Sequence, residues 1–270
     1  MRGLFKKTLY EVWLPILLFG LSLFTVKALL TCIYPQVQEG LDEFLDKIPF
    51  MKQMISALLG TDLGDGISAR VMQAFLWVHP VVLTLIWAHE IIFCTRMPAG
   101  EIDRGTIDVL LGLPVSRRAV YMCETIVWLV SGLLIIGLGL LGHRIAAPIM
   151  PVEMRPELSR SILASMNLYC VYIAVGGIAF LVSSLSSRRG RAIAIIFAIV
   201  LASFLLNFLA QFWDPAKEVA FLGIMNYYQP AHILQTGAFP FADVAILLSV
   251  GFSTWLIGGE IVARRSICTT

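Results

Sequence analysis

The sequence predicts an all-α integral membrane protein with six transmembrane helices, and three observations predict it. Of 270 residues, 58% are hydrophobic and 14% charged, with a mean hydropathy of +0.83, against roughly 45–50% apolar and about 25% charged residues in soluble domains. Six apolar runs, 12–33, 71–93, 120–142, 161–183, 192–212 and 241–262, each reach about the 20 helical residues that cross a hydrocarbon core of about 30 Å. None shows the alternation of a barrel strand, and backbone groups in lipid must be satisfied within their own segment, so each run reads as a helix. Together the six spans form a single domain over 1–270.

Ahead of the first span, Leu4, Phe5, Leu9 and Val12 fall roughly on one helical face, with Arg2, Lys6, Lys7 and Glu11 elsewhere. This fits a short N-terminal amphipathic helix on the inner interface, and equally a solvated basic tail. The first run is too long for a removable signal and no small-x-small pattern follows before Pro35, so it stays as a span.

The outer segment after it, 34–70, carries Leu41, Phe44, Leu45 and Ile48 at i, i+3, i+4, i+7 spacing. Pro49 interrupts, and Met51, Met54, Ile55, Leu58 and Leu59 resume an apolar face before Gly60. Two short amphipathic helices follow from this spacing, as a packed cap over the span ends or as a gate. In the fifth span, Ala194, Ala198 and Ala202 recur every fourth residue, a stripe suited to close helix packing. Between the last two spans, Val219–Met225 is apolar but too short to cross twice. It reads as a short, partly re-entrant or interfacial segment, with Trp213, Tyr227 and Tyr228 at headgroup level. No internal repeat is evident, which counts against an inverted-repeat transporter.

Orientation follows from Lys and Arg. With the N-terminus inside, the inner segments hold Arg2, Lys6, Lys7, Arg96, Arg104, Arg117, Arg118, Arg188, Arg189, Arg191, Arg264 and Arg265, whereas the longer outer segments hold Lys47, Lys52, Arg70, Arg144, Arg155, Arg160 and Lys217 amid many acids. Both termini are therefore expected in the cytoplasm. A net charge of +2 gives no reason to expect a nucleic-acid partner. The five cysteines (Cys32, Cys94, Cys123, Cys170, Cys268) are scattered, so neither a disulfide framework nor a zinc site is indicated, and Cys268 is third from the end, off register for a prenylation box.

Polar residues inside a bilayer are costly and are weighed one by one. Lys27, near the outer end of its span, is expected to snorkel. His89, Glu90 and Glu124 sit near inner span ends, either lining a path or, more simply, interfacial or paired with Arg96 and Arg118. Glu260 and Arg264 are four apart and suit a helical pair, and Asn167, Asn207 and Gln211 are candidate interhelical hydrogen-bonders. There is no HExxH, no Gly-x-Ser-x-Gly and no paired carboxylates within a span, so no catalytic, metal or cofactor residue is assigned. With no GxxxxGK[ST] motif either, the chain binds no ATP by a P-loop, and any ATP-driven step needs another subunit.

The densest charge in an otherwise apolar chain lies at Glu101–Arg118, between the second and third spans. As a helix it places Ile102, Ile107, Leu110 and Leu111 on an apolar side and Glu101, Asp103, Arg104 and Asp108 away from it, with Leu113-Pro114 ending the helix. Such an element is a docking surface or a connector shielding the bundle base.

The order Ala99-Gly100-Glu101, Arg104-Gly105-Thr106, Asp108, Leu110-Leu111, Pro114-Val115-Ser116-Arg117 resembles the cytoplasmic loop of permease subunits of ATP-binding-cassette exporters of the second, drug- and polysaccharide-export type. Tyr227-Tyr228-Gln229-Pro230-Ala231, Gly237, Asp243 and Arg264-Arg265-Ser266-Ile267 are similar to that family's ending, except that Ser266 stands where an acid is usual.

The resemblance implies a half-transporter in the cell (inner) membrane, paired with a second permease copy or homologue and surrounded by lipid. An ABC ATPase subunit would hold the ATP and Mg²⁺. The 94–119 loop would be the coupling element and the N-terminal helix an elbow beside it. Glu101, Arg104, Asp108 and Arg117 would supply charged contacts to the ATPase, while Gly105 and Pro114 shape the turns. The alternative is an ABC-type membrane component serving maturation of an extracytoplasmic enzyme rather than bulk export.

Overall fold

A computed structural model describes residues 2–47, 69–107, 112, 114–152, 155 and 157–265. Among them there is no strand, and six helical segments are long and apolar enough to cross a membrane: Gly3–Gln36, Gln73–Cys94, Arg117–Ile149, Leu158–Leu185, Arg189–Leu209 and Phe241–Arg264. We label the helices α1 (Arg2–Lys47), α2 (Ala69–Val78), α3 (Pro80–Cys94), α4 (Arg117–Ala146), α5 (Leu158–Leu185), α6 (Arg189–Leu209), α7 (Asp214–Val219), α8 (Pro230–Thr236) and α9 (Phe241–Arg264).

Outward-facing Leu17, Leu18 and Leu21 on α1, Leu133 and Leu134 on α4, Phe197 and Leu201 on α6, and Phe252 and Leu256 on α9 form the apolar coat that a bilayer requires. Inside, α5 is the most enclosed span. Close helix pairs are made at glycines. A Cβ on Gly142 of α4 would lie 2.2 Å from the Phe24 carbonyl oxygen of α1, and one on Gly177 of α5 would lie 2.2 Å from the Gly251 carbonyl oxygen of α9.

Several expectations change. The N-terminal segment is not a separate interfacial helix: α1 is continuous from Arg2 to Lys47, through Pro15 and Pro35. At about 1.5 Å per residue its 46 residues extend well beyond a single bilayer crossing. Leu4, Thr8 and Val12 are its buried face, whereas Phe5 and Leu9 are exposed. The helix persists because nothing between Gly3 and Pro15 breaks it and Lys7 pairs with Glu11 one turn on, at 3.0 Å. The first part of the expected outer cap, 34–47, continues α1, while Ile48 to Gly60 lie outside the described residues. The alanine stripe is not a packing seam here: Ala194, Ala198 and Ala202 are exposed, and Ala192, Ile196, Val200 and Ser203 face inward.

The second span is interrupted at His79, ahead of Pro80. Proline has no N–H and restricts the residue before it, so the carbonyls one turn back lose their helical partners. Two side chains fill the gap. Lys27 Nζ donates to Leu76 O at 3.0 Å while lying 3.3 Å over the Trp77 ring, and the Tyr228 hydroxyl donates to Trp77 O at 3.1 Å. Lys27 is thus buried at 2% exposure and does not snorkel. Tyr228 is likewise buried within the bundle, and burial raises its pKa, so the phenol keeps its proton. Trp213 is exposed.

Between α6 and α9 the chain makes only short helices, α7, the turns Ala220–Leu222 and Ile224–Tyr227, and α8, none long enough to span. Asn167 ties this segment to α5, donating to Tyr227 O at 3.4 Å and accepting from Gln229 N at 2.9 Å.

Candidate functional site

The loop between α3 and α4 begins where Thr95 closes α3, its N–H and hydroxyl both bonding Ile91 O. Met97 is extended (φ −134°, ψ 132°), which turns the chain off the helix axis. A single helical turn, Glu101–Asp103, follows. Gly105 ends it with φ +68°, a left-handed conformation that glycine adopts without a Cβ penalty. Thr106 N bonds Glu101 O at 3.0 Å and Gly105 N bonds Ile102 O at 3.1 Å, the paired bonds of a Schellman stop. Ile107 is buried beneath the turn. On the far side Ser116 caps α4, its hydroxyl accepting from Ala119 N at 3.2 Å.

The sequence residues sort differently from the expectation. Arg104, Gly105 and Pro114 are exposed, and so is Asp103. Glu101 does not project: it is buried, accepting from Arg104 Nη2 at 3.1 Å and from the Thr106 hydroxyl. A carboxylate drawn onto its own turn satisfies nearby donors that would otherwise be unpaired. Arg117 is half-buried and donates to the Arg265 carbonyl. The expected single helix through Leu111 is broken at Gly105, and Asp108, Leu110 and Leu111 lie outside the described residues.

The loop is anchored on several sides. Ala99 N reaches Ser183 Oγ at 3.4 Å, and Ser183 Oγ donates to Met97 O at 3.2 Å. Arg189 Nη2 donates to Ile92 O at 3.0 Å, and the Arg189 N–H reaches Asp103 Oδ2 at 3.4 Å. Arg265 holds Ser184 O at 2.7 Å, Ser186 O at 3.2 Å and Ser187 Oγ at 2.7 Å. Arg118 pairs with Glu260 at 2.9 Å, and Glu260 also takes the expected partner Arg264. The start of α1, the end of α9, the α3–α4 loop and the α5–α6 loop therefore share one end of the bundle.

Sequence reasoning missed the link that joins this end together. Arg96 bonds Glu11 of α1 with one guanidinium nitrogen and Glu124 of α4 with the other, and Thr8 donates to Glu124 at 2.9 Å. The Arg96–Glu124 pair was expected and the Glu11 arm was not. The available signal was Glu11 itself, one turn after Lys7 in a basic segment. His89 and Glu90 are both buried and make no ion pair among the described residues; Glu90 lies against Gly176 and Trp128. The His89 ring instead stacks on Tyr172 at 6.2 Å between centroids.

Six apolar-coated spans with arginine-pinned loop segments at one end make this a multi-pass membrane protein. Residues 18–259 match the family described as "Multidrug efflux system permease Rv1217c, C-terminal domain", and the chain belongs to that family, a family of ATP-binding-cassette permeases. A comparison with curated proteins gives no match. As a permease of this class the chain is a membrane subunit of a transporter that works with an ATPase subunit.

Proposed function

We propose that the chain is the membrane-spanning subunit of an ATP-driven exporter of amphipathic small molecules, and that the 94–119 loop is where the ATPase docks. The observation carrying this reading is the folded state of the loop. Over the described residues 94–107, its Schellman stop, the Ser183 and Arg189 anchors and the Arg96 bridge make it a pinned knob rather than a loose connector. Closure of an ATPase can do work on a bundle only through a contact that does not give way.

In this reading Asp103, Arg104, Gly105 and Pro114 form the touching surface. Glu101 and Arg117 are positioning residues that hold its shape, and Asp108 adds charge to the same loop. Force applied to the knob passes directly along α3 and, through Arg96, into α1 and α4. ATP and Mg²⁺ sit on the partner, and a second permease copy or homologue completes the path. In this reading the loop end, with both termini, faces the cytoplasm of an inner-membrane protein, which the excess of Arg and Lys at that end supports.

The test is ATP hydrolysis by the co-reconstituted ATPase. Arg104→Gln, which removes the charge of a side chain 55% exposed but keeps an N–H donor for Glu101, is expected to cut permease-stimulated hydrolysis several-fold with little change in the melting temperature of the purified chain. Unchanged stimulation in a complex containing that variant refutes the docking role.

A further inference from the structure

At the opposite end of the bundle, α6 and α9 both flank α5 but scarcely touch each other. Below this divergence α5 and α9 are clamped together at Gly177 and Gly251. Above it, among the described residues, the gap is bridged by the short helices that connect α6 to α9, and it leaves a cavity of about 350 Å³. Small or buried residues form its back wall, namely Ala174, Ser203 and Leu247, and Ala202, Val250 and Phe221 stand exposed at its mouth.

We propose that this cavity is a binding site for one acyl chain of a membrane lipid. Three observations lead there. First, the cavity lies between membrane spans, in the half remote from the loop end. Val250 is the tenth residue of α9, about 15 Å along a helix that begins at the end away from the loops. The surrounding solvent at that depth is hydrocarbon.

Second, the polar side chains of the lining, Ser203 and Tyr227, already hold partners within the fold. Ser203 Oγ accepts from Met225 N at 3.1 Å and the Tyr227 hydroxyl donates to Phe221 O at 2.7 Å. These two hydroxyls keep only part of their hydrogen-bonding capacity for a polar ligand, whereas an alkyl chain needs none of it. Third, the hollow comes from small residues and a helix divergence built into the fold. An unfilled apolar void of this size forfeits dispersion contacts along its whole wall, and a lipid chain restores them. Membrane lipid is also the apolar species present at the highest concentration.

The inference does not depend on ATPase docking, and its test reads no hydrolysis. The full chain is placed in vesicles of phosphatidylethanolamine and phosphatidylglycerol carrying a trace of phosphatidylcholine with a diazirine at the end of one acyl chain, then irradiated and digested. Peptides bearing 199–206 and 246–250 are expected to carry several-fold more label than the exposed Leu17, Leu18 and Leu21 face of α1, which reports ordinary lipid contact.

Ala202→Phe, which fills the mouth from an exposed position, is expected to lower the cavity label several-fold and leave the α1 label unchanged. Val250→Trp, from the other side of the mouth, serves if Ala202→Phe lowers the melting temperature. Equal labelling of the two surfaces, or cavity labelling unaffected in a folded mouth variant, overturns the proposal.

Discussion

At the residue scale the informative contacts are those made by charges that ought not to be inside. Arg96 and Glu124 have side chains 11% and 8% exposed, and Glu11 is 38% exposed. Removing one member of a buried pair strands the other and costs about 3–5 kcal/mol, whereas an exposed pair contributes about 0–1 kcal/mol. Arg96→Ala is therefore expected to destabilise the chain severely and Glu11→Ala only slightly. The double variant Arg96→Ala/Glu124→Ala should recover most of the Arg96→Ala loss, because no charge is left stranded. Melting temperatures of the wild type, Arg96→Ala, Glu124→Ala and the double variant in one detergent check the cycle, and an additive double variant would show that the two residues do not interact.

At the element scale, the spans were legible because apolar length is a property of local composition. The buried faces were not. In a soluble helix the apolar stripe faces the core, but in lipid the apolar side chains have two equally good places to go. On α1 the buried stripe contains Thr8 and Thr31, while Leu17 and Leu21 face out, so a hydrophobic-face argument for the first turns found Leu4 and Val12 but wrongly added Phe5 and Leu9 and missed Thr8. The break at His79–Pro80 was visible as a proline, yet nothing in the sequence said that Lys27 and Tyr228, far away in the chain, would take up the freed carbonyls.

Helix pairing rests instead on glycines, and these give a controlled prediction. Gly142→Ala drives a Cβ to 2.2 Å from a backbone oxygen of α1, which cannot move alone, whereas a Cβ on Gly137 of the same helix meets nothing within 4 Å. Gly142→Ala should cost about 1–3 kcal/mol by overpacking and lower the melting temperature. Gly137→Ala should leave it unchanged or raise it, since alanine is the better helix former.

At the scale of the whole molecule, the two ends of the bundle are differently built. One end gathers the start of α1, the end of α9 and two short loops into a network of arginines, buried carboxylates and carbonyls. The other carries the short helices between α6 and α9 and a lipid-facing hollow. The candidate site was legible in part. The charge of the loop, the turn at Gly105 and the exposure of Arg104 could be read from residue types, because a positive-φ glycine and a long cation each have few alternatives. The inward turn of Glu101 and the Arg117–Arg265 contact could not, since both depend on partners whose position only the folded chain supplies.

The central claim is that an ATPase subunit sits on the loop end and nowhere else. Photocrosslinking amino acids placed singly at Arg104, Pro114 and Phe221 in the assembled complex test it most directly. The account predicts covalent adducts with the ATPase from positions 104 and 114 and none from 221. Adducts from 221, or none from 104 and 114 in an intact complex, would contradict it.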